Sequence, residues 1–339
     1  MRLCLEEEVV LEQPFRAHLL NSTALVTSHE ARRAGFLSAV LEKSRLGDPF
    51  VDQAKTLRIK ASKAKTAKQL LEIEDIRKGL LTAAGVSDKA IKHITSDDQI
   101  AIVNEFIEKV LLPAGESFID ELVYRFLLIR GDTLGGKMRN VAGIWAQRRL
   151  TRFILSELAL SQREYLWLTS RSKKWETDSA DDETSKVRGL HWKSTHGSRV
   201  LLYNLKLPFI RTEEEEDKEG KGKNVDICLF DCEPEKYFTQ KTQLISSLGS
   251  YIVVGELKGG IDPAGADEHW KTAKSALERI RTPFNFLETS PHVVFVAAAI
   301  EHSMAGEIWT MLSNGFLSNA ANLTKDEQMV SLASWLCNL

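Results

Sequence analysis

Cysteine is scarce in this chain of 339 residues, and long apolar runs are absent. The four cysteines form no C-x-x-C pair, and no histidine cluster has zinc-finger spacing, which argues against a structural zinc site. Cys228 and Cys232 leave two interpretations: a metal site, or a buried strand thiol followed by a loop thiol. No apolar run reaches the roughly 18 residues of a transmembrane helix. The N-terminus MRLCLEEEVV carries acids where a secretory signal is apolar, so we expect a cytoplasmic protein with reduced thiols.

The chain also lacks a large excess of either positive or negative charge. The chain carries 45 Lys and Arg against 47 Asp and Glu, a formal charge of −2, which excludes a globally basic nucleic-acid binder. Basic residues are nevertheless concentrated locally. Residues 55–92 hold ten Lys or Arg against four acids, and residues 137–174 hold nine against two. These stretches are either solvated helix faces or a surface for nucleic acid.

The hydrophobic pattern changes period along the chain. A chain of this length usually forms two domains. Apolar residues spaced by three and four predict helices over Ala34–Leu46, Ala67–Leu81, Gln99–Leu112 and Ser117–Ile129, with Ser87, Ser96 and Asp97 as candidate N-caps. Short apolar or alternating runs predict strands over Val200–Leu207, Val225–Phe230, Tyr251–Leu257 and Val293–Ala299, with an amphipathic helix over Ala266–Arg281. Strand, helix and strand in that order predict a crossover in a mixed or parallel sheet. The sequence therefore predicts a helical domain and an α/β domain.

Three charged residues lie at or near the ends of two predicted strands. Asp226 lies near the start of one strand, and Glu256 and Lys258 lie near the end of another. Strand side chains alternate, so Glu256 and Lys258 share a face, and adjacent strands would bring Asp226 beside them. Two carboxylates repel each other, and a Mg²⁺ ion relieves that repulsion while a lysine positions water and offsets phosphate charge. These are the functional groups that hydrolysis of a phosphodiester bond requires. The alternative is a buried Lys–Glu salt bridge with an unrelated Asp at the sheet edge.

A glycine-rich segment follows Lys258 and leads into the amphipathic helix. Its glycines allow a tight turn or a close approach to a ligand. On the helix, His269 shares a face with Ala273, Ala276 and Ile280, which directs it toward the sheet. A neutral histidine there could accept a proton from the attacking water. The alternative is a core histidine with a purely structural role.

Two segments, 224–230 and 255–273, closely resemble the AvaI/BsoBI family of type II restriction endonucleases. The resemblance runs from about Arg33 to the C-terminus. It implies an α/β fold with the PD-(D/E)XK restriction-endonuclease-like core, a mixed central sheet flanked by helices, plus an all-helical domain. We expect a helical DNA-clamping domain at 36–115 and a catalytic domain formed by 1–35 and 116–339. Shorter matches are Pro113-Ala-Gly-Glu, Ile119-Asp-Glu-Leu, Gly131-Asp-Thr-Leu-Gly-Gly, Met138-Arg-Asn, Ala299-Ile-Glu-His-Ser-Met and Ala321-Asn-Leu-Thr.

The resemblance also implies a reaction. It is the Mg²⁺-dependent hydrolysis of duplex DNA at the degenerate palindrome CYCGRG, cut after the first C to leave a 5′ overhang. Asp226 and Glu256 match the family's metal ligands and Lys258 its catalytic lysine, with Val225 in place of the usual proline. His269 matches an extra histidine, the proposed general base. The resemblance implies a homodimer in the bacterial cytoplasm, with no membrane attachment and with a DNA methyltransferase of the same restriction–modification system as functional partner.

Five further residues are candidate DNA contacts. Asp262 could accept a hydrogen bond from a cytosine amino group, or serve only as a turn-forming acid before the following proline. Lys223 could contact phosphate or a guanine edge, and Lys89 matches the family pattern at a helix start. Lys137 and Arg139 are either phosphate clamps or solvated cations. The acidic stretch 213–222 looks like an insertion that loops outward, and the first 30 residues match the family poorly.

Two other functions stay open on the sequence. A repair or junction-resolving nuclease could use the same core, and it would cut by DNA structure and not by sequence. A DNA-binding module could carry the acidic cluster only for structure, and it would bind DNA in EDTA without cutting when Mg²⁺ is added. Discrete, site-dependent fragments from duplex DNA would distinguish a type II restriction endonuclease from both of these alternatives.

Overall fold

The computed structural model describes residues 13–170, 172, 174–177, 187–207 and 222–339. The chain divides into two compact units. Leu37–Asn140 forms one, called here the helical unit, and the chain before and after it forms the other, the α/β unit. The helical unit ends 25 residues beyond the predicted position 115, inside a long helix.

Four α-helices begin in or near the helical unit: α1 (His29–Ala61), α2 (Arg77–Ala83), α3 (Ser96–Phe106) and α4 (Phe118–Leu160). Their apolar faces bury a core that includes Leu57, Leu80, Phe106 and Leu122. Burying each such side chain contributes roughly 1.5–3 kcal/mol to stability.

Two local predictions in this unit were wrong. The single helix predicted over 67–81 is divided into 3-10 turns at Ala67–Glu72 and Glu74–Ile76 before α2, because Ile73 has φ −97° and ψ 90°, outside the helical region. The N-cap of α3 is Thr95, one residue before the predicted Ser96. Thr95 and Asp98 form a reciprocal capping box, in which the Asp98 amide donates to Thr95 Oγ1 at 3.2 Å.

The α/β unit contains a seven-stranded sheet whose strands follow one another in chain order. Strands β1 to β5 pair antiparallel, and β5, β6 and β7 pair parallel, which confirms the predicted mixed sheet. The strands are β1 (Tyr165–Thr169), β2 (Val187–Ser194), β3 (Gly197–Leu207), β4 (Lys223–Asp231), β5 (Tyr251–Lys258), β6 (His292–Ala297) and β7 (Asn319–Asn322).

Helices cover both faces of the sheet. The remaining helices are α5 (Lys236–Thr239), α6 (Lys241–Ser246), α7 (Pro263–Arg281), α8 (His302–Ser313) and α9 (Asp326–Asn338). One core contains Trp270 of α7 and Ile308 of α8, together with Phe295 of β6. The opposite core contains Leu150 and Ile154 of α4, four residues apart, with side chains from α9. Among the described helices, none combines the length and apolar character that a membrane crossing requires.

The connection from β5 to β6 carries two of the candidate site residues, Asp262 and His269. After Lys258 the chain turns through residues 259–262, enters α7, and returns as β6 parallel to β5. Gly259 permits a close approach at this turn, since a Cβ atom there would collide with the carbonyl oxygen of Ala142 in α4. The predicted crossover unit is therefore present.

Candidate active site

Adjacent strands bring the three predicted acid and lysine side chains together. Asp226 lies on β4, and Glu256 and Lys258 lie on β5. The two strands pair antiparallel with Ile227 opposite Gly255, so Asp226 and Glu256 each lie one residue beyond that pair. Opposed residues of antiparallel strands project from the same face. The register therefore directs both carboxylates toward one point.

Lys258 connects the two carboxylates. Its Nζ lies 3.2 Å from Asp226 Oδ2 and also donates a hydrogen bond to Glu256 Oε2. The backbone amide of Leu257 donates to the same Asp226 Oδ2 at 2.9 Å. The residue between the glutamate and the lysine thus fixes the aspartate. No sequence signal identified this bond, because it depends on how β4 and β5 meet at their ends.

Exposure of the cluster is graded. The Glu256 side chain is 4% exposed, against 21% for Asp226 and 31% for Lys258. A ligand entering from solvent therefore meets Asp226 and Lys258 first. Glu256 lies behind them, where its charge is poorly screened.

Burial shapes the protonation of the cluster. Burial first and the nearby Asp226 carboxylate second raise the pKa of Glu256 to about 7, against the opposing effect of Lys258. Burial alone would lower the pKa of Lys258, but Glu256 and Asp226 reverse this and hold it above the ordinary 10.5. Lys258 is therefore charged at neutral pH, beside a carboxyl group that titrates close to neutrality.

The donor set suits a hard divalent cation. Two carboxylates share one ammonium group, so the fully ionised cluster has a charge of −1 and offers oxygen ligands only. Within the described residues, no group of three or more His, Cys, Asp or Glu side chains could hold a metal ion alone. Mg²⁺ commonly binds through one or two carboxylates and completes its shell with water and substrate phosphate. Asp226 and Glu256 therefore fit Mg²⁺.

Cys228 and Cys232, for which the sequence left a metal site as one interpretation, are both buried. Burial raises the pKa of Cys228 well above its usual range and raises that of Cys232 to about 11. Metal ligation requires the thiolate. Their burial therefore favours structural thiols.

Three other predicted residues lie in the α/β unit. Lys223 is the first residue of β4 and is half-buried, three positions before Asp226. Asp262 is exposed and directly precedes Pro263, the first residue of α7. His269 belongs to α7, but its side chain lies outside the described residues. The acidic stretch 213–222 also lies outside them, apart from Gly222.

The remaining predicted DNA contacts lie in the helical unit. Lys89 is exposed and directly precedes a short 3-10 helix, Ala90–His93. Lys137 and Arg139 are exposed on α4, and Lys137 Nζ lies 4.6 Å from the centroid of the Phe50 ring. The cluster of Asp226, Glu256 and Lys258 belongs to the other unit.

Comparison with known proteins identifies the family. The family described as "Restriction endonuclease BsobI" matches residues 15–339. The type II restriction enzyme BsoBI of Geobacillus stearothermophilus is 48% identical over 333 residues, covering 97% of this chain and 99% of the relative. The type II restriction enzymes AvaI of Nostoc sp. strain PCC 7120 and of Anabaena variabilis are each 47% identical over 329 residues, covering 96% of this chain and 100% of each relative. The chain therefore belongs to the BsoBI family of type II restriction endonucleases.

Proposed function

We propose that this protein is a Mg²⁺-dependent nuclease with a PD-(D/E)XK core, which hydrolyses duplex DNA at CYCGRG and cuts after the first C. The observation that carries the proposal is the meeting of Asp226, Glu256 and Lys258 on two adjacent strands. Family membership supports site-specific endonuclease activity. The recognition sequence and the cut position come from the resemblance described above.

Asp226 and Glu256 would hold the metal ion. When bound, Mg²⁺ supplies positive charge beside the scissile phosphate and lowers the pKa of water. Asp226 and Lys258 are the more exposed members of the cluster, so phosphate oxygens would approach on their side. Glu256, which is buried, would neutralise the ion from behind.

The protein's own groups then act on water and phosphate. Lys258 orients the attacking water and offsets the charge that develops on the phosphoryl oxygens. His269 takes the proton from that water as its oxygen bonds to phosphorus. The bond from phosphorus to the 3′ oxygen breaks, and the leaving oxygen gains a proton from solvent.

DNA recognition would use a twofold arrangement. A homodimer matches a palindromic site, because each subunit then reads one half of it. Asp262 and Lys223 would contact bases or phosphate near the cleaved bond, and Lys89, Lys137 and Arg139 would contact DNA from the helical unit, the proposed clamp. A DNA methyltransferase would protect the same sites in the bacterial cytoplasm.

A digest tests the proposal. Plasmid DNA is incubated with the full chain in Mg²⁺ or in EDTA, and the fragment ends are sequenced. We expect discrete fragments only with Mg²⁺, with every end inside CYCGRG and a four-base 5′ overhang. Ends that follow DNA structure would favour a repair or junction nuclease. Binding without any cutting would favour a DNA-binding module.

A further inference from the structure

Arg130 is a buried cation of the helical unit that the proposed chemistry does not use. It lies on α4, and its side chain is only 9% exposed. The guanidinium carbon lies 5.5 Å from the centroid of the Phe50 ring and 5.3 Å from that of Phe126. Cation–π attraction to two rings restrains the guanidinium group.

One carboxylate, that of Asp88, pairs with this buried charge. Arg130 Nη1 donates to Asp88 Oδ2 at 2.7 Å, and Lys78 Nζ lies 3.5 Å from Asp88 Oδ1. The hydrogen bond from Arg130 lowers the pKa of Asp88, so the carboxylate stays ionised across the neutral range. A charge held in a buried position restrains the partner that compensates it.

Asp88 belongs to the segment 85–93, in which a turn at residues 88–89 leads into the 3-10 helix Ala90–His93. Gly85 begins this segment with φ +98°, and Ser87 Oγ accepts a hydrogen bond from the Ala90 amide at 3.1 Å. The Ile91 amide donates to the Ser87 carbonyl at 3.1 Å. Lys89 follows Asp88 directly in this turn and is exposed. Fixing Asp88 therefore limits where Lys89 can lie.

We infer that Arg130, acting through Asp88, is a positioning residue that holds Lys89 in place for contact with DNA. The inference rests on the proposed DNA contact of Lys89. A lysine held in place before binding loses less conformational entropy when it meets DNA. Loss of the Arg130–Asp88 pair should therefore weaken binding without removing any contact to DNA.

A double-mutant cycle tests this coupling. The affinity of the full chain for a duplex carrying CYCGRG is measured in EDTA, so that no cutting occurs. We expect Lys89→Ala to weaken binding by about tenfold. Arg130→Met, which keeps an unbranched side chain beside the two phenylalanine rings, should weaken it by about three- to tenfold. The double variant should bind within about twofold of Lys89→Ala alone. A double variant that shows the product of the two losses overturns the inference, because Arg130 then acts independently of Lys89.

A second cycle covers the case in which Arg130→Met does not fold. Asp88→Asn breaks the same ion pair by removing its carboxylate. Its effect on binding should likewise disappear in the Lys89→Ala background. The matched control is Arg125→Gln, which breaks an exposed Arg–Glu pair on the same helix, Arg125 Nε to Glu121 Oε1 at 2.6 Å. It should leave affinity unchanged, and so should its combination with Lys89→Ala relative to Lys89→Ala alone.

Other outcomes separate the inference from the proposed function. Wild-type affinity in Arg130→Met, with the variant folded, overturns the positioning role and leaves the DNA contact intact. Wild-type affinity in Lys89→Ala removes the contact and the inference together. Neither result touches cleavage by the cluster of Asp226, Glu256 and Lys258, which the digest tests separately.

Discussion

The substitution Glu256→Gln removes a buried charge and keeps the shape of the side chain. Glu256 is 3% exposed, and its pKa rises from the ordinary 4.5 to about 7, chiefly through burial. A carboxyl group with a raised folded-state pKa stabilises the fold when protonated. That contribution is fully present below pH 4.5 and is lost as the pH rises through 7. The difference between the two pKa values corresponds to about 3 kcal/mol of unfolding free energy above pH 7.

We therefore expect Glu256→Gln to be more stable than the wild type in EDTA. The gain should be about 3 kcal/mol at pH 8 and should shrink to about 1 kcal/mol at pH 5. Guanidinium unfolding followed by tryptophan fluorescence measures this gain. All seven tryptophans lie beyond residue 140, so the signal reports on the α/β unit. The exposed control Glu278→Gln, which loses the same charge from α7, should match the wild type at both pH values.

Adding Mg²⁺ should narrow this difference in stability. An ion at 100 times its dissociation constant stabilises the wild type by about 2.7 kcal/mol. Glu256→Gln, which lacks one proposed carboxylate ligand, should gain much less. A variant less stable than the wild type at pH 8 in EDTA would refute this prediction, and so would equal stabilisation of both proteins by Mg²⁺.

Three further predictions follow from the same structure. His269→Ala should lower the turnover number by about 100-fold while leaving DNA affinity in EDTA unchanged, and full turnover would make His269 structural. Burial lowers the pKa of His18, His191 and His292, so the unfolding free energy should fall as the pH drops below 6.5. A pH series on Glu256→Gln isolates this effect, and a flat curve contradicts it. Sedimentation should give twice the chain mass of 38.1 kDa, and a single-chain mass would contradict the homodimer.

The cluster of Asp226, Glu256 and Lys258 was predictable because few assumptions place its members together. Residues two apart on a strand share a face, which places Glu256 beside Lys258 in any sheet. Predicting that Asp226 joins them required only that its strand be next to theirs, and β4 and β5 are adjacent. The hydrogen bond from the Leu257 amide to Asp226 was not predictable, since it depends on the exact approach of two strand ends.

The full length of α4 and the strand β7 could not be predicted, because their amino-acid composition is atypical of a helix and of a strand. Helix α4 contains four glycines and runs for 43 residues to Leu160, although the apolar spacing predicted a helix only over Ser117–Ile129. Tertiary packing of side chains such as Leu150 and Leu158 offsets the low helix propensity of those glycines. Strand β7 has asparagine at both ends, which hides it from a hydrophobic pattern. The Asn322 amide group is nevertheless satisfied, since Nδ2 donates to the Leu25 carbonyl at 2.7 Å.

Cleavage by Asp226→Asn tests the central claim most directly. The variant keeps the shape of the residue, loses one proposed metal ligand, and should still bind duplex DNA in EDTA. We predict that a plasmid cut at discrete sites by the wild type in Mg²⁺ stays intact with Asp226→Asn, while the Glu278→Gln control cuts normally. Full cleavage by Asp226→Asn at the same sites would contradict the assignment of Asp226, Glu256 and Lys258 as the active site.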